Sequence, residues 1–264
     1  MEEMKTIQEQ EQNKIEVDVF QDDLSAISGS EELAARPVYA RACDNAIMHS
    51  TALQDHAPAP FSPSKTLATE QTNTVVIGKK GSAKTTWAWA FAKKIADESG
   101  RGIFTLNHPR PELFKDLPFK VTNLTRMDAM FNVTDGVVII DEAHETFNVL
   151  DKRVNEDLKI LLSRSRQNNT CFIFICHNSY FVNRGLFSFV DVRVIKEVNE
   201  KHWELERSHM KKLYQDTHVF GKENFYIDSD EVKGYFNFTK PDWCVEELCN
   251  AYRAQKVKED FFKT

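Results

Sequence analysis

An α/β fold, with a central, mainly parallel sheet flanked by helices, is predicted by three observations. From residue 73 onward, short apolar runs alternate with helix-forming segments, which is the rhythm of strand–helix–strand units. The runs Val75–Ile77, Val137–Ile140 and Cys171–Cys176 are continuously apolar and rich in β-branched or aromatic residues, as strands covered on both faces must be. Two of them, about sixty residues apart, stop abruptly at residues suited to holding phosphate and magnesium.

The elements follow in order. Residues 1–70 carry 13 acidic and 5 basic residues, and residues 57–64 are rich in proline. This region reads as a flexible acidic arm and linker, with at most a short helix over 31–42. Strand Val75–Ile77 leads through a glycine-containing loop into a helix built on Trp87-Ala88-Trp89-Ala90-Phe91-Ala92 and running to Asp97. A strand over 102–106 precedes a turn-rich Asn107-His108-Pro109-Arg110-Pro111. Short helices are expected near Leu113 and over Met127–Asn132, with a strand near Lys120–Val121 between them. Strand Val137–Ile140 and a helix over about 155–167 follow, and Thr170–Cys176 is the most strand-like run of the chain. Val190–Val198 and Trp203–Ser208 are expected as two further strands. Pro241 is placed near the first turn of a closing helix. The chain therefore divides into the arm (1–70), a core (71–210) and a C-terminal extension (211–264).

The first strand end carries the candidate chemistry. Gly78, Lys79, Lys80, Gly81, Ser82, Ala83, Lys84, Thr85 and Thr86 fit the phosphate-loop spacing, in which backbone N–H groups and a helix N-terminus face a triphosphate. Lys84 is expected to reach the β- and γ-phosphates of ATP, and the Thr85 hydroxyl to ligate Mg²⁺. Ala83 stands where the pattern has a second glycine, and alanine tolerates positive φ poorly. At the second strand end, Asp141 is the expected partner of Mg²⁺ and Glu142 the general base for water. His177 or Asn178, after Cys176, is placed to sense the γ-phosphate, although Asn178 would serve equally as a cap. Arg164 and Arg166 close the helix before that strand. Either could reach a neighbouring subunit's nucleotide as an arginine finger, or complement the helix dipole, and Arg184 is a third candidate.

Composition bounds these readings. Residues 71–264 carry 29 basic and 27 acidic residues, so the excess negative charge belongs to the N-terminal region. Overall acidity leaves room for a local basic track along nucleic acid. The five cysteines form no C-x-x-C pair and read as free thiols of a reducing compartment, with Cys171 and Cys176 on opposite faces of one strand. The chain has no apolar stretch long enough to span a bilayer. A cytoplasmic location is the expectation.

In succession, GKKGSAKTT, VVIIDEAH, a helix ending SRSRQNN, CFIFICHN and FVDVRVIKEV resemble the FtsK–HerA branch of P-loop ATPases over roughly residues 73–208. Within that branch they are similar to genome-packaging ATPases of tailless viruses and to Zot-like assembly ATPases of filamentous phages. The branch usually has glycine where Ala83 stands and glutamine where His177 stands. The resemblance implies a RecA-like core and a ring-shaped homo-oligomer. It also implies ATP- and Mg²⁺-dependent translocation of double-stranded DNA into a capsid or portal-like vertex, in the host cytoplasm or virion-associated. Virion export by a Zot-like ATPase is one alternative, and a nucleotide-binding scaffold without turnover is another.

Overall fold

The computed structural model describes residues 59–60, 72–147, 152–180, 182, 184–199, 203–204, 206–216, 219 and 221–250. The short helix expected over 31–42 and Cys43 lie outside them, as does most of the 1–70 arm. All the described residues belong to one unit, Pro58–Thr264.

Nine strands make one sheet: β1 (Ala59–Pro60), β2 (Thr74–Ile77), β3 (Gly102–Leu106), β4 (Val121–Leu124), β5 (Gly136–Ile140), β6 (Thr170–Cys176), β7 (Val192–Ile195), β8 (Asn224–Ser229) and β9 (Lys233–Asn237). Their order is β1-β9-β8-β7-β2-β6-β5-β3-β4. The six strands from β7 to β4 are mutually parallel. β8 and β9 form an antiparallel hairpin at the β7 edge, and β1 adds to β9 in parallel. The sheet is thus mainly parallel, as expected. β6 lies between β2 and β5, so three strands end side by side: Ile77 is level with Cys176, and Ile140 with Phe174.

The helices are α1 (Lys84–Ser99), α2 (Ala143–Thr146), α3 (Lys152–Arg164), α4 (Arg184–Phe187), α5 (Ser208–Asp216) and α6 (Glu246–Cys249). Side chains alternate across the strands and feed two cores. Val76, Val137, Ile139, Cys171, Ile173, Ile175 and Val194 pack with Trp87, Ala88, Phe91, Ala92 and Ile95 of α1. Val75, Ile77, Val138, Ile140, Phe172, Phe174 and Cys176 pack with Leu158, Leu161, Leu162, Met210 and Tyr214 on the other face. Cys171 and Cys176 therefore do face opposite sides. Within α1, the Trp87 ring lies tilted 4.7 Å from Phe91 and edge-on 5.5 Å from Phe225 of the hairpin. Gly100 ends the helix at φ 75°, its N–H donating to Ala96 O.

Three expectations are corrected. Trp203–Ser208 is not a strand: 203–204 is a helical turn and α5 begins at Ser208. The reason is that Met210 and Tyr214, four residues apart, bury one helical face. The strand expected over Val190–Val198 is confined to Val192–Ile195, because Lys196 and Glu197 turn to serve the loop after β2. Pro241 sits in a turn closed by Cys244 N–H to Pro241 O, and the helix starts later, at Glu246. The short helices near 113 and 127 are 3₁₀ segments, Pro111–Asp116 and Met127–Asn132.

Candidate active site

The loop between β2 and α1 is shaped by close approach. A Cβ on Gly78 would lie 2.7 Å from Lys196 Cβ and 2.9 Å from Ser82 Oγ, so no other residue fits there. Gly81 has φ +80° and faces open space. Ala83 adopts φ 63°, ψ 33°, the left-handed conformation usual for glycine. Replacing Ala83 with glycine is expected to stabilise the protein by about 0.5–1 kcal/mol in chemical denaturation, the release of strain exceeding the added freedom of the unfolded chain. A loss of stability would show that the methyl group packs favourably.

Lys84 begins α1 and is 7% exposed. Its Nζ donates to Gly78 O at 2.9 Å and Lys79 O at 3.1 Å, and lies 3.2 Å from His177 Nδ1. Burial lowers its pKa, opposed mainly by the Glu142 carboxylate. The loop is thus wrapped around a cation. Ser82 Oγ is fully buried and has no hydrogen-bond partner among the described residues, as expected of a group that awaits a ligand.

Thr85 Oγ1 donates to Asp141 Oδ2 at 3.1 Å, which joins the start of α1 to the residue after β5. Burial, then the neighbouring Glu142 charge, raise Asp141 to about 6, and hydrogen bonds from the Glu142 N–H and Thr85 only partly offset this. Glu142 has φ 47°, ψ 49°, a strained geometry for glutamate at the turn out of β5. Oε1 lies 3.3 Å from His177 Nε2 and Oε2 lies 3.4 Å from His144 Nδ1. Burial would raise the Glu142 carboxyl, but the His177 hydrogen bond and the charges of His177, His144 and Lys84 hold it below the ordinary range.

His177 therefore touches both Lys84 and Glu142, and it follows the strand that lies between theirs. Asn178 is 5% exposed, and its Oδ1 has no partner among the described residues. Behind it the loop is pinned by buried Glu206, which accepts from Ser179 N–H at 2.8 Å, from Ser179 Oγ and from Tyr214 OH. Arg164 and Arg166 are not part of this cluster. They are exposed and precede the start of β6, about 20 Å of strand from His177. Arg184 begins α4.

Sequence reasoning missed His144 and the pair Lys196–Glu197. His144 is legible only as the last letter of Asp-Glu-Ala-His. Lys196 and Glu197 fall within the FVDVRVIKEV run, but the letters do not mark their role, which comes from β7 lying beside β2. Lys79 N–H donates to Glu197 O at 2.7 Å and Lys79 Nζ pairs with Glu197 Oε1 at 2.5 Å. Lys196 is 0% exposed, donates to Lys222 O and Asn224 O, and sits 4.7 Å over the Phe238 ring. Burial pushes Lys196 down to about 7. Between pH 7 and 10.5 the unfolded chain then binds more protons than the native one, so stability rises with pH. Wild type is expected to gain about 2–3 kcal/mol over Lys196→Met between about pH 6 and 9 in urea denaturation. Parallel pH profiles would refute a Lys196 that is buried and shifted in this way.

No family model matches the chain, and no curated protein matches it. Solved structures do. The genome-packaging NTPase B204 of Sulfolobus turreted icosahedral virus 2, with sulfate, aligns at TM-score 0.51 and 13% identity over 64% of this chain and 97% of that one. The same NTPase with ATPγS aligns at 0.51 and 14% identity over 63% and 97%. The pCW3 conjugation coupling protein TcpA, with ATPγS, aligns at 0.51 and 13% identity over 70% and 66%. The chain shares the α/β fold of these structures. The resemblance read from its motifs is thus matched by the fold of its structural neighbours. Among the described residues, no helix is long and apolar enough to cross a membrane.

Proposed function

We propose that this chain is an ATP hydrolase that drives double-stranded DNA through a ring of its own copies, with viral genome packaging as its setting. The observation that carries the reading is the meeting of Lys84, Thr85–Asp141 and Glu142–His177 at three adjacent strand ends. The fold shared with B204, a genome-packaging NTPase, and with TcpA, a conjugation coupling protein, supports the coupling to DNA.

In this reading the 78–86 loop holds the phosphates, and Lys84 exchanges its loop carbonyls for phosphate oxygens. Thr85 and Asp141 fit a magnesium ion: the hydroxyl and carboxylate converge, and burial makes the carboxylate demand a cation. Bound Mg²⁺ would neutralise charge on the β- and γ-phosphates. Glu142, kept ionised by its histidines, orients and deprotonates the attacking water. His177 reports the state of the phosphate through its contacts to Lys84 and Glu142. A cavity of about 280 Å³, lined by Trp87, Phe91, Lys94, Asn237 and Phe238, offers aromatic and amide groups to the nucleobase beside α1. Arg164 and Arg166, remote from their own site, act on the nucleotide of the next copy, with residues 1–70 as an arm for docking.

The test is ATP hydrolysis by the full chain with and without double-stranded DNA. Stimulation by DNA is expected. In Arg164→Ala/Arg166→Ala, turnover falls by about 10³-fold while ATP binding is kept. Turnover indifferent to DNA would overturn translocation, and an active double variant would remove the arginines from the mechanism.

A further inference from the structure

Two thiols touch in the turn that carries α6. Cys244 Sγ and Cys249 Sγ are 3.1 Å apart. The backbone brings them together: Cys244 N–H donates to Pro241 O and Cys249 N–H to Val245 O, so residues 241–249 fold back on themselves. Cys244 is fully buried and Cys249 is half-buried, so a reagent from solvent reaches Cys249 first. Cys249 lies close enough to the Thr86 side chain for the hydroxyl to lower the thiol's pKa, which places the pair beside the residue that follows Thr85. The hydrogen bond shared by the two thiols holds the Cys249 pKa below the ordinary thiol range, while that of buried Cys244 is pushed up. Lys240 adds positive charge nearby. This environment favours thiolate at the more accessible sulfur, with a resolving thiol in contact. Cys171 and Cys176 have no such arrangement, being buried on opposite faces of β6.

We propose that Cys244 and Cys249 form an oxidant-responsive modification site that closes reversibly to a disulfide. The co-reactant is hydrogen peroxide. The Cys249 thiolate attacks one peroxide oxygen and the O–O bond breaks, leaving a sulfenic acid and a hydroxide that takes up the proton released by Cys249. Cys244 sulfur then attacks Cys249 sulfur. The S–S bond forms, the S–O bond breaks, and the oxygen leaves as water with the Cys244 proton. The two sulfurs together lose two electrons, and the peroxide is reduced to two waters. The disulfide withdraws Cys249 from Thr86 and so weakens nucleotide binding, a consequence that rests on the nucleotide-site reading above.

The experiment exposes the full chain to hydrogen peroxide, removes the oxidant, alkylates free thiols in denaturant, and weighs the peptide carrying both cysteines. The expected result is a peptide lighter by two hydrogens and unalkylated at both positions, restored by dithiothreitol and absent in Cys244→Ser. ATP affinity of the wild type is expected to fall severalfold on oxidation and to recover on reduction, with Cys244→Ser unresponsive. Separate alkylation of both thiols, or a sulfinic acid at Cys249 without a cross-link, overturns the site. A cross-link that leaves ATP affinity unchanged overturns its coupling to nucleotide. If the reduced protein binds no ATP, the nucleotide reading fails while the mass measurement still decides the thiol pair.

Discussion

On the proposed function, replacing Glu142 with glutamine is expected to lower ATP turnover by about 10²–10⁴-fold and to leave ATP binding within a factor of a few, the cost of losing a positioned general base. Glutamine keeps the size of the side chain, and its amide can still hydrogen-bond to His177, so the strained backbone at φ 47° stays occupied. What it lacks is the basic carboxylate that the surrounding positive groups keep ionised. Single-turnover kinetics beside equilibrium binding separate the two effects. Turnover within about tenfold of wild type would move the base elsewhere, with Asp141 the adjacent carboxylate.

Replacing Lys84 with alanine is expected to weaken ATP binding by about 10²–10³-fold, the loss of charge-assisted hydrogen bonds to phosphate in a dry site. The same change leaves Gly78 O and Lys79 O without their donor, so apo stability falls by about 1–3 kcal/mol. The two losses are read separately, by titration with ATP and by denaturation without it. Lys84→Arg is the control for charge: guanidinium restores charge but not the compact fit within the loop, and binding stays impaired. Wild-type affinity in Lys84→Ala would remove the loop from nucleotide recognition.

Much of this site is legible in the sequence, for physical reasons that differ by residue. Val75–Ile77, Val137–Ile140 and Thr170–Cys176 declare themselves because strands buried on both faces must be apolar throughout. The phosphate loop is legible because its spacing repeats a backbone requirement, and Ala83 stands out as the position where that requirement is strained. The brace from Lys196 and Glu197 is not legible, since it depends on β7 lying beside β2, a pairing of residues 118 apart. Nor is the gripping of Glu142 by two histidines, because His144 and His177 come from different elements. Trp203–Ser208 misleads because its aromatic and apolar letters suit a strand locally, whereas the buried pair Met210 and Tyr214 just beyond makes the segment lead into a helix. The short Pro241 turn misleads for the converse reason: proline is as much at home before a turn as inside a first helical turn.

The position of β2 has a consequence for how the molecule comes to be. Its two sheet neighbours, β6 and β7, follow it by about a hundred residues or more: Thr74 is level with Ile173 on one side and Val192 on the other. Closing loops of that length is costly and slow, and β2 cannot be enclosed until both partners have arrived. The loop after β2 has to wait longer still, because Glu197, which receives the Lys79 N–H, comes after β7. During synthesis a nascent chain therefore carries the sequence of the 78–86 loop for more than about a hundred residues before that loop can be braced by Glu197. The loop that the proposed function assigns to nucleotide thus takes its final shape only after β7 and Glu197 are in place, by the order of the strands alone.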